Sequence, residues 1–138
     1  GIKLTKYWKS GPKSFLGLLV PNFPNMFIVS GPGSPSVLTN VPVQIEQHVE
    51  WITKCIKFLE NNKRQSIEST NEAAKKWQKE ITSSVKKTLF MKAKSSWYKG
   101  DNIPGKSKSF LPYPGGMPKY RKACLNVEKT NYKELKII

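Results

Sequence analysis

Met26, Phe27, Ile28 and Val29 form a near-continuous apolar run, the pattern of a strand buried on both faces, as in a parallel sheet. The loop Gly31-Pro32-Gly33-Ser34-Pro35-Ser36 follows at once. A helix is predicted over about 42–59, with Asn40 as its chemically suited cap and Pro42 in the first turn. Ile45, Val49, Ile52, Ile56 and Leu59 recur at helical spacing and are its predicted buried stripe. A second helix is expected to start at a capping box of Ser69 and Glu72 and to run to about Leu89. Its buried face is Ala74, Trp77, Ile81, Val85 and Leu89, and its wet face is rich in lysine. A short helix over 118–127 would bury Tyr120, Ala123, Cys124 and Val127, and the polar tail beyond it is expected to fray.

Two stretches lack such periods. Phe15, Leu16, Leu18, Leu19 and Val20 lie between turn signals at Gly11-Pro12 and Pro21-Asn22 and read as a short edge strand. From 91 to 116 the chain is rich in Gly, Pro and Ser, too long for a simple connection, yet it carries Trp97, Tyr98, Phe110 and Tyr113. A functional lid and an irregular wrap over the core both fit it. Trp97, Asn102 and Lys106 are its groups suited to sugar and phosphate contact.

A strand, a tight glycine loop and a helix start is how open α/β sheets meet ligands, because the helix end offers free N–H groups and partial positive charge. The same joint also occurs without a ligand, and a lone glycine-rich loop does not decide. One interior strand is not a sheet: its N–H and C=O groups need neighbours on both sides. These residues are therefore expected to belong to a larger α/β body. The first residue is Gly, so the chain is expected to be processed, truncated or part of something larger.

The formal charge of +15 raises a nucleic-acid reading, but only Arg64 and Arg121 are arginine and the lysines are spread along the 138 residues. Base readout and phosphate clamps favour arginine, so a solvated lysine surface is the better account, with no nucleic-acid partner. No apolar run is long enough for a membrane span, so no membrane partner is expected. Cys55 and Cys124 sit in no metal-ligand spacing and read as buried free thiols of a reducing, cytoplasmic compartment. His48, the single histidine, has no second histidine with which to share a metal and reads as a packing or helix-surface residue. No metal is expected.

The segments WKSGPKSFLGL, FPNMFIVSGPGSPSVLTN, IEQHVEW, SSWYKGDNIPGK and YPGG, taken together and in this order, resemble the Baeyer–Villiger monooxygenases of the cyclohexanone and phenylacetone monooxygenase type. The resemblance covers about residues 8–135. It implies an α/β fold, as a C-terminal fragment of a flavoprotein with two Rossmann-like dinucleotide-binding domains, and FAD and NADP as cofactors. Residues 1–61 would end the FAD domain, and 62–138 would carry a C-terminal helix, the NADP lid and the tail. The family's FAD and NADPH fingerprints and its catalytic arginine have no match here, so the fragment is expected to be inactive alone, with no catalytic residue of its own. Its partners would be the missing N-terminal part of the same enzyme and a small ketone. Strand 26–30 would close the FAD sheet. Gly31, Pro32, Ser36, Val37, Leu38, Thr39 and Asn40 would pass beside the flavin, and the start of helix 42–59 would face the flavin's pyrimidine edge. Trp97, Asn102 and Lys106 would contact NADP. Leu38, Phe110 and Leu111 would wall the substrate pocket. Lys99 and Asp101 depart from the family, which usually has a neutral residue and Ala there, and the stretch 91–96 is about one residue longer than in close relatives. Amine or sulfide oxygenation by a related flavin enzyme, or a non-catalytic interaction module, remain alternatives.

Overall fold

The computed structural model describes residues 1–92, 96–101, 104–105 and 107–138. In chain order the elements are α1 (Leu4–Tyr7), α2 (Val41–Asn61), β1 (Ile67–Ser69), α3 (Asn71–Val85), α4 (Met117–Lys129) and β2 (Leu135–Ile137), with 3-10 turns at Ser36–Leu38, Leu89–Lys92 and Trp97–Lys99. Among the described residues no helix is long and apolar enough to cross a membrane.

Helix α2 starts as its chemistry dictates: the Asn40 side chain accepts the Val43 N–H at 3.3 Å. Its buried face is different from the expected one. Gln44, His48, Trp51, Cys55 and Leu59 point inward, whereas Ile45, Val49 and Ile56 are 39%, 51% and 42% exposed. The inward face wins because Trp51 and Cys55 meet α4 and Tyr132, and because the two polar residues on it are hydrogen-bonded. Ile52 is partly buried against the core, and Ile45, Val49 and Ile56 are left uncovered among the described residues.

Helix α3 begins one residue later than the predicted box. Thr70 caps it, accepting the Ala73 N–H at 3.1 Å, while Ser69 is taken into β1. Ala74, Trp77, Ile81 and Val85 are buried as expected, but the helix stops at Val85 and Leu89 is 76% exposed. Helix α4 buries Tyr120, Cys124 and Val127. The tail does not fray. Ile67, Glu68 and Ser69 pair antiparallel with Ile137, Lys136 and Leu135. Tyr132 holds the tail down through an edge contact with Trp51 and a tilted one with Phe58, at centroid distances of 5.6 and 4.9 Å.

The run 26–29 forms no strand here. Phe27 makes one isolated bridge to Leu19, the Ile28 N–H reaches Leu18 O at 2.9 Å, and Val29 is 44% exposed. A strand needs a ladder, and among the described residues the run has that one short neighbour. The apolar segment before it is no edge strand either. Leu16 and Gly17 both take positive φ, which folds the segment into a tight turn, and Phe15, Leu16, Leu18, Leu19 and Val20 are at most 6% exposed. The observed architecture is mixed: helices around one aromatic core, with a small two-stranded sheet.

Candidate functional site

The glycine corner is held from below by a dense set of hydrogen bonds. Ser34 Oγ–H donates to Gly31 O at 2.8 Å, and the Gln44 amide donates to Ser30 Oγ at 2.9 Å and Ser34 Oγ at 3.2 Å. The Trp77 indole donates to Gly33 O at 2.9 Å, and Ser14 Oγ–H donates to Pro32 O. Gly31 is buried, and a Cβ on it would run into Gly17 O and Ile28, so its bareness serves close packing within the chain. Gly33 takes φ of +91°, beside Trp77 and Ile81, where side chains are rarely tolerated. Gln44 Oε1 is buried with no donor among the described residues.

Beyond the corner the chain returns to the surface. Ser36, Leu38 and Thr39 are half-buried and Asn40 is exposed; Val37 is 50% exposed. The Asn40 side chain and carbonyl take the amides of Val43 and Gln44. Pro42 has no N–H, so Asn40 and Val41 supply the amides left without a partner among the described residues.

The loop expected to be a lid is built on an aromatic cluster. Trp97 stacks on Tyr98 at 4.2 Å, and Phe90 packs against Tyr98 and Phe110 at 5.3 and 5.5 Å. The Tyr98 carbonyl accepts the Leu111 N–H at 2.8 Å. Trp97 is 44% exposed, and Phe110 and Leu111 are half-buried. Asn102 and Lys106, named from the sequence, lie outside the described residues.

The corner touches the segment that follows this loop directly. The Gly33 N–H donates to Leu111 O at 2.6 Å and the Tyr113 N–H to Ser34 O at 2.7 Å. Trp77 stacks on Tyr113 at 4.8 Å beneath this seam. A cavity of about 540 Å³ opens beside it, lined by Trp8, Lys9, Pro32, Gly100, Ser107 and Leu111 among others. Of the residues named from the sequence, the structure brings Pro32 and Leu111 together at this cavity, packs Gly31 against Gly17 and Ile28, and sets Trp97 and Val37 at the surface.

His48 is the packing residue of the two readings its sequence left open; the hydrogen-bonded group it forms under the corner was not foreseen. His48 is fully buried; its Nδ1 accepts the Ser30 N–H at 3.1 Å and its Nε2 lies 2.8 Å from Tyr120 Oη, which donates to Leu16 O at 2.6 Å. Burial lowers the imidazole from 6.5 to about 4, so it is a neutral packing group. A histidine and a glutamine four apart on a helix are the signal that was available. Burial pushes the Cys55 thiol up to about 12 and the Cys124 thiol to about 11, leaving both inert. Among the described residues no three His, Cys, Asp or Glu side chains are grouped to hold a metal.

No protein-family model matches the chain. Curated relatives do. It is 42% identical to a cyclohexanone 1,2-monooxygenase of an Acinetobacter species over 132 residues, 96% of this chain and 24% of that protein. It is 39% identical to a Baeyer–Villiger monooxygenase of Pseudooceanicola batsensis over 135 residues, 98% and 24% respectively. It is 40% identical to a phenazine N-monooxygenase of Lysobacter antibioticus over 132 residues, 96% and 24%. Among solved structures, a cyclohexanone monooxygenase from a Rhodococcus species bound to NADP+ superimposes with a TM-score of 0.93 at 38% identity, over 99% of this chain and 25% of that one. A protein termed OTEMO, in complex with FAD and NADP, superimposes at 0.89 and 29%, over 99% and 25%. The chain belongs to the Baeyer–Villiger monooxygenase family. It spans about a quarter of the length of the curated relatives it matches.

Proposed function

We propose that the chain is the C-terminal part of an FAD- and NADPH-dependent cytoplasmic monooxygenase. The reaction inserts one oxygen of O₂ next to a ketone carbonyl to give an ester or lactone; the other oxygen leaves as water and NADPH is oxidised to NADP+. FAD supplies the oxygen activation when bound, and protein supplies position and field. No residue of this segment matches the family's catalytic arginine or its FAD and NADPH fingerprints, and the segment's residues position the reactants and exclude water. Residues 1–61 complete the FAD domain and 62–138 carry the lid.

The residues present fit a flavin edge. The amides of Asn40 and Val41 have no partner among the described residues, and they stand at the positive end of a 21-residue helix. Gly31, Pro32, Ser36, Val37, Leu38, Thr39 and Asn40 hold the flavin side, Leu38, Phe110 and Leu111 the ketone side, and Trp97, with Asn102 and Lys106, the NADP side. The carrying observation is the hydrogen-bonded seam between Gly33–Ser34 and Leu111–Tyr113. It supports this reading because it joins the segment read as the flavin side to the segment read as the ketone side, and oxygen transfer from flavin to ketone needs the two adjacent.

The missing N-terminal part is the partner. It would pair with the open edge at 26–29, which would become a strand of its sheet, and cover Ile45, Val49 and Ile56. The test is Trp97→Ala in the complete enzyme, with an expected rise of about tenfold or more in the KM for NADPH and increased uncoupling. Wild-type kinetics and coupling would remove the lid assignment. The isolated chain should retain no FAD after gel filtration.

A second reading is oxygenation at nitrogen, favoured by the 40% identity to a phenazine N-monooxygenase. Product analysis of the complete enzyme with a cyclic ketone and with an aromatic amine separates the two.

A further inference from the structure

Asp101 sits in a surface loop, yet its carboxylate is turned inward: the side chain is 5% exposed. Oδ1 accepts the Ser96 N–H at 2.7 Å, and Oδ2 lies 3.5 Å from Lys99 Nζ. Between these two anchors runs the 3-10 turn Trp97–Lys99. Ser96 caps it through Oγ, which accepts the Tyr98 N–H at 3.2 Å. Gly100, at φ of +65°, closes it. The backbone enters the turn at Ser96, in an extended conformation with φ of −162°, and leaves it at Gly100. Asp101 therefore ties the entrance of the turn to its exit.

What the turn presents is Trp97. The indole rests on Tyr98, and Tyr98 is fixed by Phe90, Phe110 and the Leu111 amide. The far side of the turn is tied to the following segment by the Ser109 N–H to Lys99 O and the Leu111 N–H to Tyr98 O, both at 2.8 Å, and its near side is held at Ser96.

We propose that Asp101 is a positioning residue for nicotinamide-cofactor use, holding the Trp97 turn by accepting the Ser96 amide. The proposal rests on the reading of Trp97 as a cofactor contact. The hydrogen bond, more than the charge, does the holding, because the amide bond is short and direct while Lys99 stands at 3.5 Å. Asparagine keeps an acceptor at Oδ1 and removes the charge. Alanine removes both.

The test has two arms. In the 138-residue chain, hydrogen exchange is followed at the Ser96 amide. Asp101→Ala should speed it by roughly tenfold, and Asp101→Asn should stay near wild type. Unchanged exchange in the alanine variant overturns the tie. In the complete enzyme, Asp101→Ala should raise the KM for NADPH severalfold with kcat nearly kept, and Asp101→Asn should restore it. If alanine leaves that KM unchanged while Trp97→Ala raises it, the positioning role is wrong and the lid reading stands. If Trp97→Ala also changes nothing, the lid reading fails, and the proposal fails with it.

Discussion

His48 and Tyr120 meet ring to phenol under the glycine corner, with Nε2 and Oη 2.8 Å apart. The direction of each hydrogen bond follows. Nδ1 accepts from the Ser30 N–H, so the proton of the neutral ring is on Nε2 and is donated to Tyr120, whose own hydroxyl proton goes to Leu16 O. Three segments far apart in sequence are joined through one neutral imidazole.

Protonating His48 puts a second hydrogen on Nδ1 and costs the Ser30 bond. The unfolded imidazole takes a proton below 6.5; the folded one resists until about 4. Between those values the unfolded chain binds more protons, so stability falls as pH drops from 6.5 towards 4, by at most about 3 kcal/mol. Denaturant titrations at pH 6.5, 5.5 and 5.0 check this. His48 is the only histidine, so His48→Gln should flatten the profile over that range; equal slopes in both proteins would rule the account out.

Tyr120→Phe removes the donor to Leu16 O and leaves the His48 Nε2–H without an acceptor. The ring's packing against Trp77 and Tyr113 is kept. The expected loss is about 2 kcal/mol. A change within about 0.5 kcal/mol would mean the hydroxyl contributes little, against the buried geometry seen here.

Cap position is directly testable. Thr70→Ala should cost about 1 kcal/mol of stability through the lost Ala73 bond. Ser69 Oγ has no hydrogen-bond partner among the described residues, so Ser69→Ala should be neutral or slightly stabilising. The reverse order in thermal melts would put the cap back on Ser69.

Val49→Lys probes the uncovered side of α2. In the isolated chain it should change stability by no more than about 0.5 kcal/mol, because the site is 51% exposed. In the complete enzyme the same charge would be buried without a partner and should cost about 3 kcal/mol or prevent assembly. Equal, small effects in both would show that nothing covers that face.

The elements with one clear partner were legible in the sequence. Trp77, Ile81 and Val85 on α3, and Tyr120, Cys124 and Val127 on α4, follow helical spacing and are buried. Helix α2 misled because it has two apolar faces. Counting aliphatic residues selects Ile45, Val49 and Ile56, while the chain itself buries Gln44 and His48, which look polar until their hydrogen bonds are seen. The tail was unreadable for a related reason: a three-residue strand carries too little pattern, and its anchor Tyr132 acts through contact with Trp51, remote in sequence. The corner was visible as a glycine loop, but the bonds that hold it come from Ser14, Gln44 and Trp77, which no local motif connects.

The uneven burial of the indoles gives this protein a built-in optical readout. Trp51 and Trp77 are nearly sealed, at 1% and 6% exposure, whereas Trp97 is 44% exposed on its turn. A small aqueous quencher should dim the red-shifted emission from Trp97, and in part that of half-buried Trp8, while leaving the blue emission of the sealed pair. Shielding of that outer dye-like ring by a docking molecule can then be followed without any label.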